Sequence, residues 1–400
     1  MLYKRDILAK MEKVILRDEY IVLSGARQTG KTSILLMLKS ALEEKGEQCA
    51  YFNLENPDHL ALLNAHPFNI FELIPQNKKR QYVFIDEIQY LNDPTNFLKL
   101  LYDEKRKDLK IIASGSSSFY IDKKFKDSLV GRKFLFEVFP LNFNEFLAFT
   151  NNEELPEKRG GKISGYYAKK IIDLWDVYAA YGGYPKVALA GELELKKIML
   201  EDIAVSYVKK DIADAGIRNI EKYFALLKIL AEQTGQLVNA QELANTLNLA
   251  GKTAEEYLYV MKKSYHIALI KPFFKNMRKE LTKMPKVYFY DSGLRNFLLG
   301  NFEKIGIRPD KGACLENIVF REFLVKTSSV DKIKFWRTQD KKEVDFIIDR
   351  KEAFEIKTNF KKKDAKKYDD FKKQYPEMKL AFLGEKEILK KFYNLEIKTK

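Results

Sequence analysis

A glycine-rich loop that follows a short apolar run constrains this chain more than any other feature. Residues Tyr20 to Leu23 indicate a buried strand, and a helical pattern runs from Lys31 to about Lys45. Between them the sequence satisfies the pattern G-x-x-x-x-G-K-[ST] in full, through Gly25-Ala26-Arg27-Gln28-Thr29-Gly30-Lys31-Thr32. Strand, loop and helix in this order predict a phosphate-binding loop, in which backbone amides and the helix N-terminus face an anion.

The residue types in this loop indicate its ligand. We expect ATP with Mg²⁺, because the Lys31 ammonium would reach the β- and γ-phosphates and the Thr32 hydroxyl would contribute to the metal site. Ser33 completes the set of nucleotide-binding residues that begins at Gly25. A chance glycine-rich turn is the alternative, and the flanking strand and helix patterns disfavour it.

Two adjacent carboxylates follow a second apolar run. Residues Tyr82 to Ile85 predict another buried strand, and Asp86 and Glu87 come directly after it. We expect Asp86 to hold Mg²⁺, directly or through water, and Glu87 to polarise the attacking water as a general base. A solvated strand end is the alternative for such a pair.

Two further residues are candidates for the same reaction. A strand predicted at Lys110 to Ala113 would lie between the loop strand and the strand that carries Asp86, and it ends in Ser114. Ser114 would contact the γ-phosphate and hold the attacking water, unless it is only a polar turn residue. Arg132 is a candidate arginine finger, acting in cis or across a subunit boundary. The alternative for Arg132 is a surface salt bridge.

The periodicity divides the chain into four regions, so the predicted fold class is multidomain α/β. Alternating apolar runs and helical patterns over residues 1–150 predict a parallel sheet with a P-loop. Residues 165–215 predict a helical connector, broken at Gly182-Gly183-Tyr184-Pro185. Residues 216–300 predict three helices and a hairpin, the pattern of a winged helix-turn-helix. Residues 312–400 predict a helix followed by strands.

The charges of the predicted winged helix leave its partner open. Its third helix, from Lys252 to Ser264, carries acidic and basic residues and no arginine for guanine readout. The predicted wing is more basic, which favours contact with phosphates. Its cationic residues are Lys275, Arg278, Lys279, Lys283 and Lys286. Nucleic acid and a protein partner fit this region equally well.

A predicted hairpin in the last region carries carboxylates and a lysine. Glu355 and Lys357 share one strand face, and a three-residue turn places Asp345 opposite Glu355. Carboxylates so placed can hold Mg²⁺, which activates water, with Lys357 orienting that water or neutralising charge. Glu316, in the preceding helix, is the expected additional metal ligand. The alternative is a solvated face with cross-strand salt bridges.

Composition limits the remaining possibilities. The chain has 71 lysines and arginines against 56 aspartates and glutamates, a formal net charge of +15. That charge suits nucleic acid, and a general lysine bias explains it equally well. Two cysteines and three histidines are too few for a disulfide framework or a zinc cluster. With no apolar run of membrane length and no secretory signal, we expect a cytoplasmic protein.

Several runs together resemble the predicted AAA+-superfamily ATPases of archaea and bacteria. They are GARQTGKTS, YVFIDEIQ, IIASGSSS, LVGR, FPLNFNEFL, YGGYPKVAL, SYVKKDI, KVYFYDSGLRNFLL and GACLENIVFREF, and they extend over nearly the whole chain. The resemblance implies an AAA-type ATPase domain, a winged helix and a C-terminal restriction-endonuclease-like α/β domain. In that last domain, Asp345, Glu355 and Lys357 match the PD-(D/E)xK pattern.

Two functional hypotheses follow. In the first, ATP hydrolysis with Mg²⁺ moves or gates a C-terminal module that handles nucleic acid, with DNA favoured, and that is a candidate Mg²⁺-dependent nuclease. In the second, the chain is a nucleotide-dependent switch or scaffold. It would bind a protein partner through the winged helix, and its nuclease-like domain would be catalytically inert.

Overall fold

The computed structural model describes residues 3–75, 79–115, 129–152, 166–274, 280, 283–358 and 366–395. The chain forms two compact units, residues 1–139 with 263–265, and residues 140–262 with 266–400. Within the described residues, no helix combines the length and the apolar character needed to span a membrane.

A five-stranded parallel sheet forms the centre of the first unit, with strand order β2-β3-β4-β1-β5. The strands are β1 (Tyr20–Ser24), β2 (Gln48–Asn53), β3 (Gln81–Asp86), β4 (Leu109–Gly115) and β5 (Lys133–Glu137). The helices are α1 (Asp6–Glu12), α2 (Lys31–Glu43), α3 (Pro57–Ala65) and α4 (Pro94–Lys105). The strands predicted at Tyr20 to Leu23, Tyr82 to Ile85 and Lys110 to Ala113 are confirmed, and β4 lies between β1 and β3 as predicted.

Both faces of this sheet are covered. Val22 and Ile111 pack in one apolar cluster with residues of α3 and α4, while their neighbours Ile21 and Ile112 pack in another with residues of α1 and α2. Because the strands are parallel, their carboxyl ends lie at one edge. That edge carries the loop after β1 and the acidic pair at the end of β3.

The second unit begins with helices and ends with a mixed sheet. Its helices are α5 (Phe143–Phe149), α6 (Tyr166–Tyr181), α7 (Pro185–Leu189), α8 (Leu193–Asp202), α9 (Val208–Asp214), α10 (Ile220–Glu232), α11 (Ala240–Thr246), α12 (Gly251–Lys263), α13 (Ser292–Leu299), α14 (Lys311–Thr327), α15 (Asp369–Gln374) and α16 (Glu385–Tyr393). Its strands are β6 (Ile267–Pro272), β7 (Lys286–Phe289), β8 (Ile333–Arg337), β9 (Glu343–Ile348), β10 (Glu352–Ile356) and β11 (Lys379–Leu383).

The two strands predicted as a wing belong to the sheet of the C-terminal strands. The strand order is β11-β10-β9-β8-β6-β7, with β6 parallel to β8 at Lys271 and Lys334. The predicted boundary between residues 216–300 and 312–400 therefore crosses one continuous sheet. Pairing between β6 and β8 joins residues about sixty positions apart, so local periodicity gives no sign of it. The sequence also did not predict β11.

A buried aspartate accounts for the glycine pair in the run YGGYP. Asp291, 1% exposed, accepts a hydrogen bond from the amide of Gly183 at 2.7 Å. A β-carbon on Gly183 would overlap the carbonyl oxygen of Leu141, whose amide donates to the Gly183 carbonyl at 2.6 Å. The Arg321 guanidinium lies 3.8 Å from Asp291 and donates to the Pro140 carbonyl at 3.0 Å. These contacts explain why the first unit ends at residue 139 and not near 150.

The run SYVKKDI has a structural role through its aspartate. Asp211 is buried on α9, and its Oδ2 lies 3.2 Å from Nε2 of His266. The hydroxyl of Tyr223 lies 3.4 Å from the other ring nitrogen of that histidine. A buried polar group needs such partners, so this aspartate and histidine stabilise each other inside the second unit.

Candidate functional site

The glycine-rich loop leaves the carboxyl end of β1 and leads into α2. Gly25 has a φ of 154°, and a β-carbon there would overlap the carbonyl oxygen of Val138, so this position requires glycine. Gly30, with a φ of 89°, is the residue before α2. The other predicted loop residues lie beside these positions: Arg27 and Gln28, half-buried in the turn, and Ser33, exposed in the first turn of α2.

The lysine of the motif is buried against the loop backbone. Lys31 is 5% exposed, and its ammonium donates to the carbonyl oxygens of Gly25 at 2.9 Å and Ala26 at 2.8 Å. The Thr29 hydroxyl donates to Ala26 as well, at 2.9 Å. The ammonium is thereby held at the loop, where the motif would present it to a phosphate.

An arginine near the N-terminus supports the same loop. Arg5 is 5% exposed and donates from Nη1 to the Thr29 carbonyl at 2.9 Å and from Nη2 to the Phe139 carbonyl at 2.8 Å. One rigid guanidinium thus links the loop to the chain that follows β5.

Asp86 is the centre of the polar contacts at this edge of the sheet. Its Oδ2 accepts from the Thr32 hydroxyl at 2.6 Å and from the Tyr51 hydroxyl at 3.0 Å. Its Oδ1 accepts from the Ser114 hydroxyl and, at 3.2 Å, from the amide of Glu87. The structure therefore brings the hydroxyls of Thr32 and Ser114 to the same carboxylate, that of Asp86.

Glu87 turns away from the regular strand. Its φ of 57° is left-handed, and its amide also donates to the Ser114 hydroxyl at 3.3 Å. Its side chain is half-buried, and the Gln89 amide donates to its Oε2. A non-glycine residue in this conformation is uncommon and is often found at functional sites. The predicted general base is thus held beside the carboxylate that it follows.

Arg132 lies at the opposite edge of the sheet from the phosphate loop. It precedes β5, whose first residue Lys133 pairs with Tyr20 at the start of β1, whereas the loop follows Ser24 at the end. The five residues of β1, which span about 13 Å, separate the two edges. The Arg132 guanidinium forms a bidentate salt bridge with Asp103, with N–O distances of 2.7 and 3.1 Å. An arginine finger acting in cis does not fit this placement, which is that of a salt bridge.

The residues at the loop fit a magnesium nucleotide. The Thr32 hydroxyl and the Asp86 carboxylate are hard oxygen donors, the kind that Mg²⁺ prefers. They share a hydrogen bond of 2.6 Å, and Thr32 follows the buried Lys31 in the motif.

The turn between β9 and β10 gives the predicted register in the second unit. Phe346 pairs with Phe354, the last pair of an antiparallel ladder around a turn at residues 349–351. Asp345 and Glu355 come next on their strands, and Oδ2 of Asp345 accepts a hydrogen bond from the Ile356 amide at 2.8 Å. Asp345 and Glu355 are 8% and 3% exposed. An ordinary solvated face, the alternative for these residues, is therefore wrong.

A buried lysine lies among the carboxylates. Lys286, 1% exposed, places its ammonium 2.6 Å from Oε1 of Glu343, 3.3 Å from Oε1 of Glu316 and 3.6 Å from Oδ1 of Asp345. The Tyr288 hydroxyl donates to Oε1 of Glu316. Lys286 was predicted as a basic surface residue of the wing, and its burial corrects that prediction. We call Glu316, Glu343 and Asp345 with this lysine the carboxylate cluster.

The neighbouring charges are also paired. Arg337 donates to Glu343 at 2.6 Å, and the Lys357 ammonium lies 2.9 Å from Oε1 of Glu355. The Tyr368 hydroxyl donates to the same Glu355 oxygen at 2.7 Å. Oε2 of Glu355 is buried and has no hydrogen-bond partner in the described part of the chain.

The predicted second metal site is not assembled from three carboxylates. Among the described residues, no group of three or more His, Cys, Asp or Glu side chains could hold a metal ion. Burial raises the pKa of Glu316 to about 8 and that of Glu355 to about 7. Burial alone would lower the pKa of Lys286, but the neighbouring carboxylates raise it above its ordinary value. The residues present fit an ammonium and do not fit a divalent ion.

The other basic residues of the predicted wing differ in what the structure describes of them. Lys283 is exposed, whereas Lys275, Arg278 and Lys279 lie outside the described residues. The helix predicted to enter the major groove, α12, exposes acidic and basic residues together, as its sequence predicted.

A cavity of about 550 Å³ lies beside the carboxylate cluster. Its lining includes the cationic Lys283 and Arg337, the polar Gln339 and the aromatic Trp336. Since Arg337 also binds Glu343, the cavity adjoins the cluster. Its lining is polar and apolar in part, as in sites for small polar ligands.

Several residues at these sites were not predicted to act there. Arg5 carried no local signal, and Tyr51 meets Asp86 only because β2 pairs with β3, a non-local contact. For Lys286 and Tyr288 the sequence contains a weak indication of a shared site, because two polar residues two positions apart on a predicted strand lie on one face.

Comparison with known proteins gives matches along three segments of the chain. Residues 17–147 match a family described as an AAA domain. Residues 172–305 and 311–396 match two families described as domains of unknown function, DUF8612 and DUF4143. The first segment, which carries the phosphate loop and the acidic pair, is thus similar to an AAA domain.

Relatives extend over most of the chain. An uncharacterized protein from Haemophilus influenzae is 29% identical over 382 residues, 90% of this chain and 88% of that protein. The uncharacterized protein MJ1544 from Methanocaldococcus jannaschii is 27% identical over 382 residues, 90% of this chain and 82% of that protein.

Two solved structures show limited similarity to this chain. The RuvB Holliday junction branch migration motor from Thermotoga maritima is 17% identical, with a TM-score of 0.34 over 66% of this chain and 89% of that chain. Cdc6p from Pyrobaculum aerophilum is 11% identical, with a TM-score of 0.35 over 80% of this chain and 96% of that chain.

Proposed function

We propose that this chain hydrolyses ATP with Mg²⁺ and couples its nucleotide cycle to a C-terminal module that handles DNA. The observation that carries the ATPase is the 2.6 Å hydrogen bond from the Thr32 hydroxyl to Asp86, since it joins the phosphate loop to the acidic strand end. Lys31, Thr32 and Asp86 would hold the magnesium nucleotide. The metal ion supplies positive charge at the β- and γ-phosphates when bound.

The remaining residues would activate the attacking water or position the carboxylates of the site. Glu87 would accept the proton of the attacking water, and Gln89 would orient that carboxylate through its hydrogen bond. Ser114 would fix Asp86, with which it shares a hydrogen bond, and would lie next to the γ-phosphate.

The test is ATP hydrolysis and nucleotide binding by matched variants. Lys31→Ala should lose nucleotide binding. Glu87→Gln should still bind ATP and hydrolyse it about 100-fold more slowly or worse, the usual loss when a general base is removed. Lys39→Ala is the control, because Lys39 lies on the same helix and pairs with Glu43 at 2.6 Å. Turnover at the wild-type rate in Glu87→Gln would contradict the role of Glu87.

The net charge of +15 and the cation-lined cavity support the DNA-handling part. Binding of a labelled duplex and of a single strand, of DNA and of RNA, should be measured with and without ATP over a range of salt concentrations. We expect DNA binding that weakens steeply as salt rises. Failure to bind any nucleic acid in either nucleotide state would reject this part and leave the ATPase untouched.

A second candidate function is a nucleotide-dependent switch or scaffold that binds a protein partner, with an inert nuclease-like domain. The burial of Lys286 among carboxylates favours it over a nuclease. The assay is cleavage of labelled DNA and RNA with Mg²⁺ or Mn²⁺. Cleavage that is lost in Asp345→Ala and kept in Lys31→Ala would reject the inert domain.

A further inference from the structure

The cation of the carboxylate cluster comes from a distant part of the chain. Lys286 is the first residue of β7, at the edge of the six-stranded sheet, and Tyr288 follows on the same face. The carboxylates come from α14, which carries Glu316, and from β9, which carries Glu343 and Asp345. Strand pairing and helix packing therefore bring one ammonium to three carboxylates.

The distances in the cluster are those of an ammonium. A lysine has three donors and no acceptor, and Lys286 faces three carboxylates at 2.6, 3.3 and 3.6 Å. Mg²⁺ takes oxygen ligands at about 2.0–2.1 Å and Ca²⁺ at about 2.3–2.6 Å. Only the 2.6 Å contact to Glu343 falls within these ranges, so Glu316 and Asp345 would have to move inward to ligate either ion.

The charges around Lys286 are nearly balanced by the protein itself. Besides the cluster, Glu355 adds a fourth carboxylate, and Arg337 and Lys357 add two cations that pair with Glu343 and Glu355. Buried carboxylates without cations are costly, and removal of one partner of a buried pair leaves the other uncompensated. The Lys286 ammonium thus compensates the negative charge of the buried carboxylates, as a divalent ion does in metal-dependent sites.

We propose that the Lys286 ammonium is the resident cation of the carboxylate cluster and holds Glu316, Glu343 and Asp345 in place of a divalent metal ion. This inference deepens the second candidate function and rests on it. It predicts that the wild-type cluster binds no divalent ion and that removal of the ammonium creates a site for one.

The test is Mn²⁺ binding to the full chain without nucleotide, measured by electron paramagnetic resonance of free Mn²⁺ and by the shift of Tm with added Mn²⁺. Wild type should bind no stoichiometric Mn²⁺ at millimolar concentration. Lys286→Met should bind one Mn²⁺ per chain at least about tenfold more tightly, and Asp345→Asn added to it should abolish the gain. Lys334→Met, which removes a lysine paired with Glu280 at 2.9 Å in the same sheet, should behave as wild type.

Two results would overturn the inference. One is stoichiometric Mn²⁺ binding by wild type that Asp345→Asn removes, and this decides the question even where Lys286→Met does not fold. The other is a folded Lys286→Met that gains no Mn²⁺. Because these titrations contain no nucleotide, ATP hydrolysis by wild type tests the ATPase separately. Metal-dependent cleavage of DNA by wild type would reject the second candidate function itself.

Discussion

The hydroxyl of Tyr51 donates a hydrogen bond to Oδ2 of Asp86 at 3.0 Å, from the strand next to the one that Asp86 ends. The same oxygen accepts from Thr32. When Thr32 engages a metal ion, Tyr51 would be the remaining donor to this oxygen, so the tyrosine would position the aspartate in the proposed magnesium site.

Tyr51→Phe should therefore weaken the Mg²⁺ dependence of nucleotide binding and not the binding itself. A hydrogen bond to a charged group contributes about 1.5–3 kcal/mol, so the apparent Mg²⁺ affinity should fall about 10- to 150-fold. Titration of a fluorescent ATP analogue with Mg²⁺ and, separately, in EDTA measures both quantities. Tyr102→Phe, on α4 of the same unit, is the control. An equal loss in EDTA would point to a general defect of the fold.

Arg5→Ala should lower nucleotide affinity although Arg5 lies before the segment that matches the AAA family. Without the guanidinium, the Thr29 carbonyl loses its buried donor and the loop loses its fixed position. We expect affinity for ATP and ADP to fall about 10- to 100-fold, with partial recovery in Arg5→Lys, since a lysine can reach one carbonyl. Lys4→Ala, at an exposed neighbour, is the control. If Arg5→Ala keeps the wild-type nucleotide affinity and only its Tm falls, Arg5 stabilises the fold and does not position the loop for the nucleotide.

Glu355 should make the stability of the second unit depend on pH. Burial, together with the nearby Asp345, raises the pKa of Glu355 from 4.5 to about 7. Since the folded chain binds this proton more tightly, the stability that it contributes is fully present below about pH 4.5 and is lost as pH rises through about 7. The loss is at most about 3 kcal/mol.

Glu355→Gln removes this titration, so the variant should gain Tm relative to wild type between pH 5 and pH 8. Thermal unfolding across this range measures the difference. Glu352→Gln, on the same strand with a side chain 47% exposed, should show no such trend. A difference between Glu355→Gln and wild type that is constant with pH would contradict the prediction.

Gly183→Ala should destabilise the second unit severely. An added methyl group would overlap the Leu141 backbone and disturb the amide that binds the buried Asp291. We expect a loss of several kcal/mol, from overpacking and a broken buried hydrogen bond together, seen as a lower Tm or insoluble protein. Gly191→Ala is the matched control, because a β-carbon there meets no atom within 4 Å. Equal stability of the two variants would show that the backbone can shift.

The parts of this protein that the sequence predicts are those encoded by neighbouring residues. The phosphate loop follows from eight consecutive residues and their flanking patterns, and the register between β9 and β10 follows from a three-residue turn. Strands β1, β3 and β4 of the first unit follow from short apolar runs that are buried on both faces of the sheet.

The parts that it does not predict depend on contacts between distant residues. Tyr51 meets Asp86 through strand order, and Arg5 reaches Thr29 from outside the motif. The predicted wing was assigned to a separate domain because its local pattern is that of a hairpin, and only the pairing of β6 with β8 corrects this. Arg132 shows the converse error, since a candidate chosen by its residue type lies at the wrong edge of the sheet.

The continuous sheet of the second unit has a consequence for how such proteins can be recombined during evolution. The matched segments 172–305 and 311–396 meet between β7 and α14, within the set of elements that builds one sheet. A gene exchange at that point would give an incoming set of carboxylates without the lysine that accompanies them, or the lysine without its carboxylates. The two segments are therefore expected to be inherited as a pair, and only exchanges that carry β6 through α16 together would preserve the cluster.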